Sequence, residues 1–309
     1  MARCFITRTL PGTALDRLAQ THEVDVWPQH LPPTHEDLVK RAPAMEGLIS
    51  LPTDPIDAEL IENAPLLRAI SNYAVGYDNI DLQAAKARQI PVGHTPDVLT
   101  NATADLAFAL LLAVARRLPE AMAAVRAGEW LTWGPSSHLG VELANATLGI
   151  VGLGRIGQAV ARRGEGFGMR VIHTDSRSTA DDLASLLESA DFVSLHAPLT
   201  EDTRHLIDET VLNAMKPTAI LINTGRGGLV DHDALAAALK GGSIAGAALD
   251  VTEPEPIPLD HPLLDAPNLI ITPHIGSATT TARERMAEIA VDNLLTGLAG
   301  EPMPHAVPD

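Results

Sequence analysis

Three loops of this chain carry side chains suited to acid–base and carboxylate chemistry. Each follows a short β-prone run: Thr224-Gly225-Arg226-Gly227-Gly228 after Ile220 to Asn223, Asp250-Val251-Thr252-Glu253-Pro254-Glu255-Pro256 after Ala245 to Leu249, and Pro273-His274-Ile275-Gly276-Ser277 after Ile270 to Thr272. In an open parallel sheet ligands sit beyond the carboxyl ends of the strands, so these loops are expected to converge on one edge. An Arg can clamp a carboxylate with two parallel hydrogen bonds while keeping its charge near a carbonyl. A His passes a proton near neutral pH, and a carboxylate on its second ring nitrogen fixes the tautomer. Arg226, Glu255 and His274 are therefore the candidate catalytic residues. Taken singly, each has a plainer reading: a surface ion pair for Arg226, a solvated turn for Glu255, an ordinary loop residue for His274. Metal ligation is not expected, because the twelve His show no HxxxH or HExxH spacing, and acyl transfer lacks a GxSxG elbow.

The element that must position these loops is built around Thr147 to Asp175, TLGIVGLGRIGQAVARRGEGFGMRVIHTD. An apolar run, Leu148 to Val151, leads into Gly152-Leu153-Gly154-Arg155-Ile156-Gly157, and helical spacing resumes at Ala159 and Val160. A second β-prone run, Val171 to Thr174, ends in Asp175, eighteen residues after Gly157. Strand, tight turn, helix and a terminal acid make a dinucleotide fingerprint: Gly152 permits the turn, Gly154 lets backbone approach a pyrophosphate, and Gly157 lets helix pack on strand. The N–H groups at the helix start then face the anion. Beside such a site, the Arg, Glu and His loops point to chemistry rather than to packing.

Further strand-like runs at Phe192 to His196, Ala219 to Asn223, Ile244 to Leu249 and Leu269 to Thr272 complete a doubly wound parallel (Rossmann) sheet. Only one helical pattern, around Leu183, Leu186 and Leu187, fits between Asp175 and Asp191, where a full fold needs helix, strand and helix. The sheet is therefore expected to lack one outer strand unit, on the adenosine side. The first hundred residues alternate short strands with helical patterns and read as a second, flavodoxin-like α/β domain. We expect residues 1–98 to form a substrate domain and 99–278 the dinucleotide domain, with a C-terminal helix in 279–309 returning to the first. Residues 128 to 146, with Trp130 and Trp133, show little periodicity and read as an arm, either packed locally or a contact surface.

Composition agrees with an ordinary globule: 309 residues, 46% hydrophobic, net charge −17. That charge argues against a nucleic-acid partner. The run Leu106 to Ala115 is too short to cross a bilayer, and MARCFITRTLPG lacks the features of a signal peptide, so a cytoplasmic protein is expected. Cys4 is the only cysteine and reads as core.

The chain resembles the D-isomer-specific 2-hydroxyacid dehydrogenases, on Val75-Gly76-Tyr77-Asp78-Asn79-Ile80-Asp81, the glycine turn, His196-Ala197-Pro198-Leu199-Thr200, NTGRGGLVD from Asn223, ALDVTEPEP from Ala248 and TPHIGSAT from Thr272. Within that family it is most similar to glyoxylate and hydroxypyruvate reductases, through GYDNIDL, NATADLAFALLL and GEWLTW. The resemblance implies reduction of a small 2-ketoacid to the D-2-hydroxyacid by hydride transfer from a nicotinamide cofactor. It implies that Arg226 binds the substrate carboxylate and polarises the ketone, that His274 is the acid in reduction, and that Glu255 orients His274. The N–H groups of Val75 and Gly76 would hold the carboxylate's other side, and Asp250 the nicotinamide carboxamide. Thr103, Arg155, Ile156, His196, Ala197, Pro198, Thr203, Thr224, Gly225, Arg226, His274 and Gly276 would line the cofactor with the turn glycines. A homodimer is implied, with Trp133 or its neighbours near the partner's pocket. Asp175 favours NAD(H), since a carboxylate there accepts from ribose hydroxyls and repels a 2′-phosphate, although Arg177 beside it leaves NADP(H) open. Two other readings remain: a non-catalytic dinucleotide sensor or corepressor on the same scaffold, and a 3-phosphoglycerate dehydrogenase-like enzyme, which the acidic composition disfavours.

Overall fold

The computed structural model describes residues 1–308. Two compact units divide the chain, residues 1–99 together with the segment from Ala278 onward, and Thr100–Ser277.

The first unit is built on five parallel strands, β1 (Arg3–Ile6), β2 (Glu23–Val26), β3 (Gly47–Ser50), β4 (Ala69–Asn72) and β5 (Val92–Gly93). Their order, β2-β1-β3-β4-β5, is the flavodoxin-like order expected. Strands β3 and β4 are buried at every residue, as central parallel strands covered on both faces must be. Helices α1 (Ala14–Ala19), α2 (His35–Arg41), α3 (Ala58–Glu62) and α4 (Leu82–Ala87) connect them. Three of the helix starts carry side-chain caps: Thr34 and Asp37 form a capping box on α2, while Asp57 and Asp81 cap α3 and α4. The apolar pattern missed β5 and α4. With only two residues, β5 owes its place to neighbours, pairing with β4 on one side and with the C-terminal tail on the other, where Val307 N donates to Val92 O at 2.8 Å. Cys4 lies in the core on β1, and burial, with the nearby Glu46 charge, pushes its thiol up to about 12.

The second unit begins with α5 (Thr100–Ala115) and α6 (Leu118–Arg126). A left-handed Arg117 (φ 51°) separates them; the sequence pattern ends a helix from Thr100 at about Arg117 but does not reveal α6 beyond it. Helix α5 is apolar on most sides because its Phe108, Leu110, Leu111 and Val114 are buried in one core cluster with the strands of the sheet. Among the described residues no helix is long and apolar enough to cross a membrane. Residues 128–146 form no regular element beyond turns, and Trp130, Leu131 and Trp133 are largely exposed.

The sheet of this unit comprises β6 (Thr147–Val151), β7 (Arg170–Thr174), β8 (Phe192–Leu195), β9 (Ile220–Asn223), β10 (Gly246–Leu249) and β11 (Leu269–Ile271), all parallel, in the order β11-β10-β9-β8-β6-β7. Helices α7 (Arg155–Gly166), α8 (Ala180–Ser189), α9 (Glu209–Ala214) and α10 (His232–Gly241) make the crossovers. The chain runs outward from β6 to β7 and then crosses back to β8, so the strand order reverses beside β6. A ligand crevice belongs at that reversal. Only α8 lies between β7 and β8, which leaves β7 as the sheet edge and bears out the expected loss of one outer strand unit. Helix α8 opens with a Thr179/Asp182 capping box, and its Leu186 abuts Gly149 of β6, where an added Cβ would lie 2.6 Å away.

The last helix, α11 (Thr280–Leu298), packs on β3 and β4 of the first unit. Its close approach depends on glycine: a Cβ on Gly297 would lie 3.0 Å from Ala69.

Candidate active site

At the end of β6 the glycine turn takes the form its spacing predicts. Gly152 has φ +95°, and an added Cβ would lie 2.6 Å from Ala197 N, so the turn after β6 presses against the loop after β8. Those two loops flank the reversal of strand order. A Cβ on Gly157 would lie 2.2 Å from Gly152 O, which fixes helix α7 tightly on the turn. Around Gly154, the residue capping α7, an added Cβ would meet nothing within 4 Å. Bare backbone therefore faces open space at the N-terminus of a twelve-residue helix, the arrangement that receives a phosphate. Across the same sheet end, Thr224 at the end of β9 is buried and its Oγ1 has no hydrogen-bond partner. An open N–H cradle and an orphaned hydroxyl both fit a bound dinucleotide.

The three loops expected to carry the chemistry follow β9, β10 and β11. Buried Asn223 ends β9 and ties the first loop: its Oδ1 accepts from Gly225 N at 3.0 Å and its Nδ2 donates to Arg226 O at 2.8 Å. Arg226 Nη1 donates to Gly225 O at 3.0 Å. Next in the chain, Gly227 touches the second loop so closely that a Cβ would lie 2.1 Å from the Thr252 carbonyl. The backbone leading to Glu255 thus abuts the backbone that carries Arg226. Glu255 Oε1 and His274 Nδ1 are 2.7 Å apart, with both side chains about one-third exposed. His274 holds a left-handed backbone (φ 52°), a conformation that costs a non-glycine residue about 1–3 kcal/mol. Asp250 holds it there. Its buried carboxylate accepts from Thr272 Oγ1 at 2.6 Å, Ile275 N at 2.8 Å and Gly276 N at 2.7 Å, and its backbone O accepts from His274 N at 2.9 Å.

The profile described as D-isomer specific 2-hydroxyacid dehydrogenase, NAD binding domain, matches residues 108–276. The chain belongs to the D-isomer-specific 2-hydroxyacid dehydrogenases. A protein named glyoxylate reductase from Korarchaeum cryptofilum is 50% identical over 99% of this chain and 95% of its own length. One of the same name from Thermococcus litoralis is 48% identical over 99% and 96%. A crystal structure of a protein from Thermus thermophilus superposes with a TM-score of 0.94 at 52% identity, covering 99% of this chain and all of that one.

In this dehydrogenase other expected site residues fall at four places. Thr103, in the first turn of α5, is buried and lies beside Gly276, where a Cβ would meet its Cγ2 and Oγ1 at 3.4 Å and Asp250 Oδ2 at 3.2 Å. After β8, His196 Nε2 is 2.8 Å from Ser194 Oγ, and burial pushes the imidazole down to about 4, so at neutral pH the ring is uncharged. Thr203 braces that loop, donating to Pro198 O at 2.7 Å and accepting from Thr200 N at 2.8 Å. Asp175 ends β7, and both of its carboxylate oxygens are engaged by Arg177: the backbone N–H at 2.8 Å and the guanidinium at 2.9 Å. The Arg177 guanidinium holds the Asp175 carboxyl below the usual carboxylate range. Val75 and Gly76 lie in the first unit, in the loop after β4.

Sequence reasoning missed Asn223, Thr272 and Ser194 as supports of the site. A signal existed for each, a polar residue within or immediately after an otherwise apolar strand, where only a buried hydrogen bond explains it.

Proposed function

We propose that this dehydrogenase reduces a small 2-ketoacid, of the size of glyoxylate or hydroxypyruvate, to the D-2-hydroxyacid, with NADH preferred. The Glu255–His274 contact carries the reading, because it commits Nδ1 to the carboxylate and leaves Nε2 to hold and give a proton. Reduction adds a hydride to the 2-keto carbon and a proton to its oxygen. The nicotinamide, when bound, supplies the hydride. His274 gives the proton, and Arg226 binds the carboxylate and draws charge toward the ketone oxygen. The N–H groups of Val75 and Gly76 take the carboxylate as well. Gly152, Gly154 and the start of α7 receive the pyrophosphate, while Thr103, Thr224 and the Asp250–Gly276 turn line the nicotinamide. Full-length similarity to proteins named glyoxylate reductase supports the choice of substrate.

Asp175 supports NADH preference, tempered by its ion pair with Arg177. The truncated edge at β7 removes surface from the adenosine side, so cofactor affinity is expected to be modest. Exposed Trp130, Leu131 and Trp133 support a homodimer built on residues 128–146. Light scattering at micromolar concentration tests it, and a strictly monomeric mass refutes it.

The deciding experiment follows NADH oxidation with glyoxylate, hydroxypyruvate, pyruvate and phenylpyruvate. Turnover with glyoxylate and hydroxypyruvate is expected to exceed that with the other two. Measurable NADH binding with no turnover of any of the four would instead establish a dinucleotide sensor.

A further inference from the structure

The loop after β4 is held by side chains that the proposed chemistry does not yet use. Three successive carbonyls of this loop are pinned. Ala74 O accepts from Thr95 N at 2.7 Å, Val75 O is 2.8 Å from His94 Nδ1, and Gly76 O accepts from Asn72 Nδ2 at 2.9 Å. Asn72 is fully buried and engaged at both ends of its amide. Its Nδ2 also donates to Asn79 Oδ1 at 2.9 Å, and its Oδ1 accepts from Ser50 Oγ at 2.9 Å. Asn79 in turn donates to Leu51 O and Asp54 O, both at 3.0 Å. His94 is fixed from the other side. Its backbone N–H donates to His305 O at 3.0 Å, its carbonyl accepts from Asn293 Nδ2 at 2.9 Å, and its ring meets Tyr77 edge-on at 5.6 Å.

These peptides are trans, so each N–H points opposite to the carbonyl of its own peptide group. The carbonyls of Ala74, Val75 and Gly76 belong to the same peptide groups as the N–H groups of Val75, Gly76 and Tyr77. Each pinned carbonyl therefore turns the N–H of its own peptide away from Thr95, His94 or Asn72, and among the described residues none of the three N–H groups donates within the chain. Successive N–H groups of this kind form an anion-binding concavity.

We propose that Asn72 and His94 are positioning residues for the substrate carboxylate, holding the Val75 and Gly76 carbonyls so that the N–H groups of Val75, Gly76 and Tyr77 form a three-donor cradle. The proposal rests on the reading of this loop as the carboxylate site. It adds a third donor, Tyr77 N–H, and assigns the aim of the cradle to two side chains that touch no substrate. Because His94 must donate from Nδ1 to Val75 O, its hydrogen-bonding pattern also ties the cradle to α11 and the C-terminal tail through Asn293 and His305.

The test uses the full chain with NADH bound and oxamate, an unreactive mimic of a 2-ketoacid, as the probe. In the wild type, oxamate should move the amide NMR signals of Val75, Gly76 and Tyr77. His94→Phe and Asn72→Leu should each raise KM for glyoxylate and weaken oxamate binding about 10-fold or more, the loss expected when a misaimed backbone N–H no longer reaches the charged carboxylate, with kcat within about 3-fold and NADH affinity unchanged. His94→Asn, whose Nδ2 takes the place of the ring Nδ1 and can still donate to Val75 O, should restore most of the loss. A thermal melt on each variant separates folding from binding, and if Asn72→Leu does not fold, His94→Phe with its Asn rescue decides. Unchanged KM and oxamate affinity in a folded His94→Phe, or a fall in kcat at constant KM, overturns the positioning roles. Unmoved wild-type amides at saturating oxamate overturn the cradle while leaving ketoacid reduction standing. Absence of glyoxylate turnover, with the amides still shifting, counts against the substrate assignment alone.

Discussion

His274 combines a left-handed backbone, three Asp250 carboxylate bonds bracing its loop and a carboxylate 2.7 Å from its ring, so its role can be tested without disturbing the nucleotide cradle. His274→Ala should lower kcat about 100-fold or more, the usual loss for a general acid, with NADH affinity nearly unchanged by fluorescence titration. Arg226→Ala should raise KM and lower kcat together if, as proposed, one guanidinium both binds and polarises; steady-state kinetics showing KM unchanged would remove the binding role. Asp175→Ala releases the Arg177 guanidinium that the carboxylate now holds. The kcat/KM ratio of NADPH to NADH should then rise about 10-fold or more, for a regained ion pair to the 2′-phosphate. At this scale Arg226, Glu255 and His274 were readable as candidates because each is a chemical residue in a loop after a strand-like run. Asn72 and His94 were not, since what they do depends on which carbonyls face them, and spacing does not encode that.

Elements decide where those residues stand. Strands β6, β8, β9 and β10 were legible as apolar runs because buried parallel strands need apolar side chains on both faces. The missing outer strand was legible too, from the short span between β7 and β8. By contrast, β5, α4 and α6 escaped notice: two are too short for a pattern to show, and α6 has a Pro at its start and buries only Ala124, so no apolar stripe faces a core. The glycine turn offers the sharpest test of an element. Gly152→Ala would require both a left-handed Ala and a Cβ 2.6 Å from Ala197 N, so NADH affinity should fall by more than about 10-fold and the melting temperature should drop. Calorimetric titration checks the first, and retained affinity would mean that the two loops yield more easily than their spacing suggests.

For the whole molecule, two desolvated imidazoles weaken the fold in acid. The folded-state pKa of His196 is depressed to about 4, and burial also lowers that of His232. The unfolded chain binds these protons near pH 6.5, whereas the folded chain refuses them until lower pH, so stability is full above about pH 6.5 and falls as pH drops toward 4. For His196 alone the slope is at most about 1.4 kcal/mol per pH unit. Chemical denaturation at pH 7 and pH 5 should show this loss, and His196→Gln should reduce it. An identical pH dependence in that variant would assign the effect elsewhere.

Cys4 has one further consequence. The chain's single thiol is 1% exposed and keeps its proton up to about pH 12, so alkylating reagents have neither access to it nor a thiolate to attack. A cysteine introduced at an exposed position, Trp133 for instance, would therefore be the sole group to take a maleimide dye. Native Cys4 need not be removed first, and one fluorophore per chain could report directly on that surface.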